Sequence, residues 1–105
     1  MRPRLTRPTT LVLLALSRGV RHGFDILDDT GLESGTVYPI LRRLEDAGCL
    51  RSRWEPAERA QLEGRPPRRY YELTGAGAEV LREAVERYPD VRVLRGAGAA
   101  RPRPA

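Results

Sequence analysis

The stretch Ser34-Gly35-Thr36-Val37-Tyr38-Pro39-Ile40-Leu41-Arg42-Arg43-Leu44-Glu45-Asp46-Ala47-Gly48-Cys49-Leu50 decides the fold class, together with Gly64-Arg65-Pro66-Pro67-Arg68-Arg69-Tyr70-Tyr71-Glu72-Leu73-Thr74. In the first, Ser34 reads as a helix cap, because a serine hydroxyl accepts well from the free N–H groups of an opening turn. Val37, Leu41 and Leu44 follow at i, i+4 and i+7 with Ile40 beside them, which lays one apolar stripe along a helix. Thr36, Tyr38, Arg42 and Arg43 fall on its other faces. Pro39 sits early, where it removes a backbone donor and is expected to bend the first turns. Gly48 ends the helix. In the second stretch a basic, proline-stiffened loop runs into an aromatic strand.

Working outward, Leu50, Ser52 and Trp54 alternate with Arg51, Arg53 and Glu55, the period of a strand. Tyr70-Tyr71-Glu72-Leu73 is the expected return strand, with Leu50, Trp54, Tyr71 and Leu73 on one face. Residues 56–68 then form a long loop, a wing. Upstream, His22-Gly23 opens a short helix with Phe24, Ile26 and Leu27 apolar and Asp25, Asp28 and Asp29 on the wetter side. Gly31 is its expected left-handed C-cap. Two helices split by a turn at Gly31 make a helix-turn-helix by spacing. Further upstream, threonines at 9 and 10 precede the apolar run Leu11–Leu16, which its leucines and alanine make a helix, although so short a run also suits a buried strand. Downstream, Thr74 caps a last helix with Leu73 placed to staple on Ala78. Leu81, Ala84, Val85 and Tyr88 form its stripe and Pro89 ends it. The expected fold class is mainly α with a small β-hairpin, a winged helix-turn-helix in the order α-α-α-β-β-α. Residues 1–8 form a basic arm, 9–89 the domain and 90–105 a flexible tail rich in Arg, Pro, Ala and Gly.

A chain of 105 residues supports one domain with a marginal core, which association would help to stabilise. The formal charge is +5 and the pI is near 10.3. Apart from His22 every basic side chain is arginine, which suits bidentate contact with phosphate and guanine but equally follows from a GC-rich genome. Residues 1–21 and 91–105 carry arginines and no acid, whereas 22–34 carry acids and no arginine. Basic ends suit a polyanionic partner. A single cysteine makes no internal disulfide. The run Leu11–Leu16 is too short to span a membrane and lacks a secretory cleavage pattern. A cytoplasmic protein without membrane partner follows. Enzymatic chemistry is not expected: one histidine and one cysteine far apart offer no metal cluster or nucleophile–base pair, and no glycine loop cradles phosphate. No cofactor or metal is expected.

The same residues carry a family likeness. His22-Gly23-Phe24-Asp25-Ile26, Gly35-Thr36-Val37-Tyr38-Pro39 through Leu41, Arg43, Leu44 and Gly48, Gly64-Arg65-Pro66, Arg69-Tyr70-Tyr71, Leu73-Thr74 and Gly77 together resemble the PadR family of transcriptional regulators, from about Leu11 to Leu81. The resemblance implies a dimeric winged-helix repressor binding double-stranded DNA, in some members answering to a small-molecule effector. It also implies a long last helix, or a separate helical domain, for dimerisation. Here Pro89 cuts that helix short.

The expected site follows. Ser34, Gly35, Thr36, Tyr38, Pro39, Arg42 and Arg43 form the groove-facing set on a recognition helix over about 34–48, while Arg65, Arg68 and Arg69 reach the backbone or minor groove from a wing over about 56–69. Arg43 could instead pair with Glu45 or Asp46. Leu11, Leu14, Leu81, Ala84, Val85 and Tyr88 form the expected dimer interface. Trp54 is either hairpin core or the wall of an effector cavity, since flat ligands stack on indole. Cys49 and Tyr71 read as core, and His22 as a helix-start hydrogen bonder or a pH switch. Residues 96–105 read as disordered, adding charge without core. A winged-helix module that binds protein, or nucleic acid without sequence choice, is the competing function.

Overall fold

The computed structural model describes residues 3–92, so the tail read above at 96–105 lies outside the described residues. The order is α1 (Arg7–Ser17), α2 (Gly23–Thr30), α3 (Ser34–Asp46), β1 (Leu50–Trp54), α4 (Ala57–Leu62), β2 (Arg69–Leu73) and α5 (Gly75–Arg87). Helices dominate and the two strands form one antiparallel hairpin, the expected winged helix-turn-helix with one helix added inside the wing.

The first helix begins earlier than its apolar run. Thr6 is the cap, its hydroxyl accepting from the Thr9 N–H at 3.2 Å, and Pro8 sits in the first turn where a missing donor costs nothing. Thr9 and Thr10 are therefore buried helical residues rather than caps. Thr10 satisfies its hydroxyl on the Thr6 carbonyl at 2.8 Å, which makes its burial tolerable. Because α1 is apolar on every side it runs through the middle, packed against α2, α3, α5 and β2. Leu13 and Val12 are fully buried among Ile26, Val37, Leu41, Leu44 and Ala84. Truncating Leu13 to Ala should cost about 2–5 kcal/mol, transfer plus cavity.

Helix α2 stops at Gly31 in the left-handed conformation, φ 73°, as its sequence demands. The hairpin pairs Leu50 with Leu73, Ser52 with Tyr71 and Trp54 with Arg69. A third short segment joins its edge: Tyr71 donates its N–H to the Arg21 carbonyl at 2.7 Å and His22 bridges Tyr70. That tie fixes the head of α2 against the wing's return strand. Thr74 caps α5 through the Gly77 N–H at 3.1 Å. A methyl group added at Gly77 would sit 2.1 Å from the Cys49 carbonyl oxygen, so only glycine lets α5 approach the start of the hairpin this closely.

Beyond α5 the chain folds back. Val91 is fully buried with Leu11 and Leu14, and Leu32, Leu81, Val85 and Tyr88 pack against them. Arg7 binds Asp90 at 2.9 Å and Tyr88 donates its hydroxyl to the Leu5 carbonyl at 3.3 Å. The expected dimer stripe is thus largely consumed within one chain. Leu11 and Leu14 are buried, and Ala84 lies on the core side of α5 with Gly77 and Val80 rather than outward. The reason is helical phase. Positions 80 and 84 join the core around α1 and 77 meets the start of the hairpin, whereas 81, 85 and 88 fall on the flank, where they remain partly buried.

Candidate nucleic-acid interface

Helix α3 buries Val37, Ile40, Leu41 and Leu44 and exposes Ser34, Gly35, Tyr38, Pro39, Arg42 and Arg43, with Thr36 half-buried. Ser34 is not the cap. Glu33 takes the extended cap conformation, φ −81° and ψ 156°, and its carbonyl accepts the Val37 N–H at 3.0 Å. No side chain caps this end, so the serine stands in the first helical turn. Pro39 lies inside the helix, which runs unbroken to Asp46.

Tyr38 is both exposed and anchored. A methyl group at Gly23 would lie 2.2 Å from its hydroxyl oxygen, so the phenol rests directly over the head of α2. The His22-Gly23 pair is therefore a seat for a tyrosine on the next helix. His22 contributes its own tie, Nε2 lying 3.0 Å from Asp25 Oδ2, while its Nδ1 is buried without a hydrogen-bond partner among the described residues. Burial pushes the imidazole below its ordinary range against the pull of Asp25, and Arg68 and Arg65 push the same way.

Across from α3 stand the hairpin and wing, and between them lies an open cleft of about 840 Å³ lined by Phe24, Tyr38, Arg42, Trp54, residues 65–68, Arg69 and Tyr71. Tyr71 is core, as is Cys49. Trp54 is not: it is 63% exposed. It shares a face with Leu50 and Tyr71, as the alternation requires, but the strand has outrun the core by position 54 and the indole meets the cleft instead. Arg69 lies over it, 5.7 Å from the ring centroid, and donates to Ser52 Oγ at 2.8 Å and Glu45 Oε1 at 3.2 Å. Arg69 therefore straps the hairpin to the end of α3.

The wing itself differs from a plain loop. Residues 57–62 form α4, of which Ala60 alone is buried. Arg65 does not project outward as expected. Its guanidinium grips Glu55 with a bidentate pair of 2.6 and 2.8 Å and touches Glu63 at 3.2 Å, leaving the side chain 19% exposed. Glu55 is buried, and the Arg65 hydrogen bonds, helped by the Arg68 N–H and the Tyr70 hydroxyl, hold its carboxyl at about 2 against the desolvation that opposes ionisation. Strand alternation had placed Glu55 on the outer face, and its identity as a buried acceptor was invisible without the partner ten residues on. Arg42, Arg43 and Arg68 form no ion pair among the described residues, so Arg43 takes neither Glu45 nor Asp46.

Helix α3 beside a basic hairpin, both seated on a helix-turn-helix, defines the winged-helix class. The model of the "Transcriptional regulator PadR-like family" matches residues 12–83, and the chain belongs to that family of transcription regulators, which are not enzymes. A PadR family transcriptional regulator from Eggerthella lenta is 31% identical, with 91% of this chain and 87% of that one covered and a TM-score of 0.61. A PadR-like transcription factor from Bacteroides fragilis is 26% identical over 81% and 82% at a TM-score of 0.63. A PadR family regulator from Clostridium difficile, 21% identical over 88% and 97% at 0.66, shares the fold. No curated protein matches the sequence significantly. No helix among the described residues is long and apolar enough to cross a membrane.

Proposed function

We propose that this chain is a sequence-specific DNA-binding repressor, working as a homodimer in the cytoplasm. The observation that carries this reading is that exposed Tyr38 and Arg42 on α3 face Arg68 across one cleft, with exposed Arg43 next along the helix, and that none of these three arginines forms an ion pair among the described residues. Helix α3 fits the major groove, where arginine reads guanine through two hydrogen bonds. In this reading Arg68 follows the phosphates from the wing, supplying register and affinity rather than base choice, while Arg69, expected beside it, is held by Glu45 and Ser52. The basic arm and tail expected at 1–8 and 90–105 are kept in the proposal with narrower bounds than a domain at 9–89 allows, since Thr6, Arg7 and Pro8 open α1 and Val91 is part of the core.

The dimer face proposed here is the groove between α1 and α5, about 790 Å³, lined by Leu14, Leu81, Val85, Pro89 and Arg92. It keeps Leu14, Leu81 and Val85 of the expected stripe, while Leu11, Ala84 and Tyr88 do not line it. A small-molecule effector is proposed at exposed Trp54, whose place in the cleft would set such a ligand against DNA. Selection of genomic fragments with the purified protein, followed by titration against the recovered site and its scrambled version, tests the reading. Equal affinity for both favours a module without sequence choice.

A further inference from the structure

We propose that Glu55 and Arg65 form a buried clasp that gives the wing its DNA-contacting shape, Glu55 being a positioning residue and Arg65 part of the frame rather than a phosphate contact. The inference rests on the reading of the hairpin side as a DNA surface.

The two residues bracket α4. Their bidentate contact closes the chain from 55 to 65, and the Arg65 N–H returns to the Ala60 carbonyl at 3.1 Å. Glu55 also holds Arg68 twice: its own N–H donates to the Arg68 carbonyl at 2.8 Å, and its carboxylate accepts the Arg68 N–H at 3.3 Å. The Tyr70 hydroxyl adds a bond to the same carboxylate at 3.1 Å. One side chain, 1% exposed, thus fixes both ends of the wing and the backbone of the residue offered to phosphate. A buried carboxylate with this many donors is stable only while the arginine remains, and a fork-shaped partner cannot be exchanged for a point charge without losing one bond. Arg65 is spent on Glu55 and Glu63, which leaves Arg68 as a wing cation without an ion pair among the described residues.

The clasp predicts an inverted sign. Glu55→Gln removes one negative charge from a DNA-binding protein, raising its net charge by one, which by bulk electrostatics strengthens binding. If the carboxylate positions the wing, the variant binds a mixed-sequence duplex roughly tenfold more weakly. The full chain is titrated at several salt concentrations, at a temperature where melting curves show each variant folded. Arg68→Gln should flatten the salt slope by about 0.9. Arg65→Gln should weaken binding with no change in slope, and Arg65→Lys, which keeps the charge and loses the fork, should weaken it likewise. Trypsin should cut within 56–68 faster in Glu55→Gln than in the parent. Parental or tighter binding by Glu55→Gln, together with a flatter slope for Arg65→Gln, overturns the clasp. If Glu55→Gln does not fold, unchanged binding by Arg65→Lys overturns it. If the parent itself ignores DNA, the DNA reading fails, and trypsin alone judges the clasp: equal cleavage rates overturn it.

Discussion

Two regions of this molecule carry arginines on the same side, and they hold them in opposite ways. On α3, Arg42 and Arg43 stand exposed on a helix whose other face is buried, and neither forms an ion pair among the described residues. Across the cleft, Arg65 is committed to Glu55 and Glu63, and Arg69 to Ser52 and Glu45. The helix gets its shape from an apolar stripe and leaves these two arginines without an ion pair among the described residues. The wing buries little apolar surface, since only Ala60 within 57–62 is buried, and it is held together by polar contacts that spend charge. Counting basic residues near a site therefore overestimates its contacts wherever the scaffold lacks a core.

That contrast can be tested from its largest effect downward. Splitting the proposed dimer should weaken helix-dependent and wing-dependent binding together. Val85→Arg, at the flank of α5, should give monomer by light scattering and reduce operator affinity by roughly 10²–10⁴ through lost avidity. In the intact dimer the two recognition helices should lie about 34–36 Å apart. Monomer in the parent at micromolar concentration, with and without DNA, would sink this.

Next come the helix side chains. Arg42→Ala or Tyr38→Ala should cost on the order of 1–3 kcal/mol on the operator and far less on random duplex. Arg68→Ala should weaken both duplexes alike. A wing variant that altered base preference while the helix variants did not would reverse the roles assigned to the two regions. Gly23→Ala should act more subtly. Its methyl displaces the Tyr38 ring, which can swing into the open cleft, so the melting temperature should change little while operator preference falls by about 1 kcal/mol. A large loss of stability with preference intact would show that the seat serves folding alone.

The smallest effect concerns acid. His22 has its pKa depressed in the folded state, so the unfolded chain binds the proton more readily. Its contribution is present above the unfolded value near 6.5 and is lost as pH falls below it. Glu55, held at about 2 against an ordinary value of 4.5, keeps its contribution until pH falls through that lower window. A melting series should thus decline gently below pH 6.5, and His22→Gln should remove that first step while leaving the more acidic one. If the variant kept the parent's slope between pH 5 and 6.5, another group would be responsible.

Much of this architecture is local in origin and so was legible in the chain. The stripe at Val37, Leu41 and Leu44 describes a buried helix face because side-chain phase is set by 3.6 residues per turn. Gly31 and Thr74 announce a C-cap and an N-cap through conformations and hydrogen bonds that span only a few residues. The hairpin follows from alternation at Leu50 and Tyr71. These signals share a short range, so neighbouring residues suffice to read them.

What needed the folded molecule joins residues that no local rule connects. Glu55 meets Arg65 ten positions away and turns an apparent outer-face acid into a buried hub. Trp54 obeys its strand's alternation yet is exposed, because where the core ends depends on how α3 and the hairpin lie together. Ala84 shares a helix with Val85 but faces the main core, because α1 packs there, while Val91 folds back on the side of Val85. Periodicity tells which residues share a face. Only packing decides what that face meets, since burial and pairing are properties of the space between elements and not of any one of them.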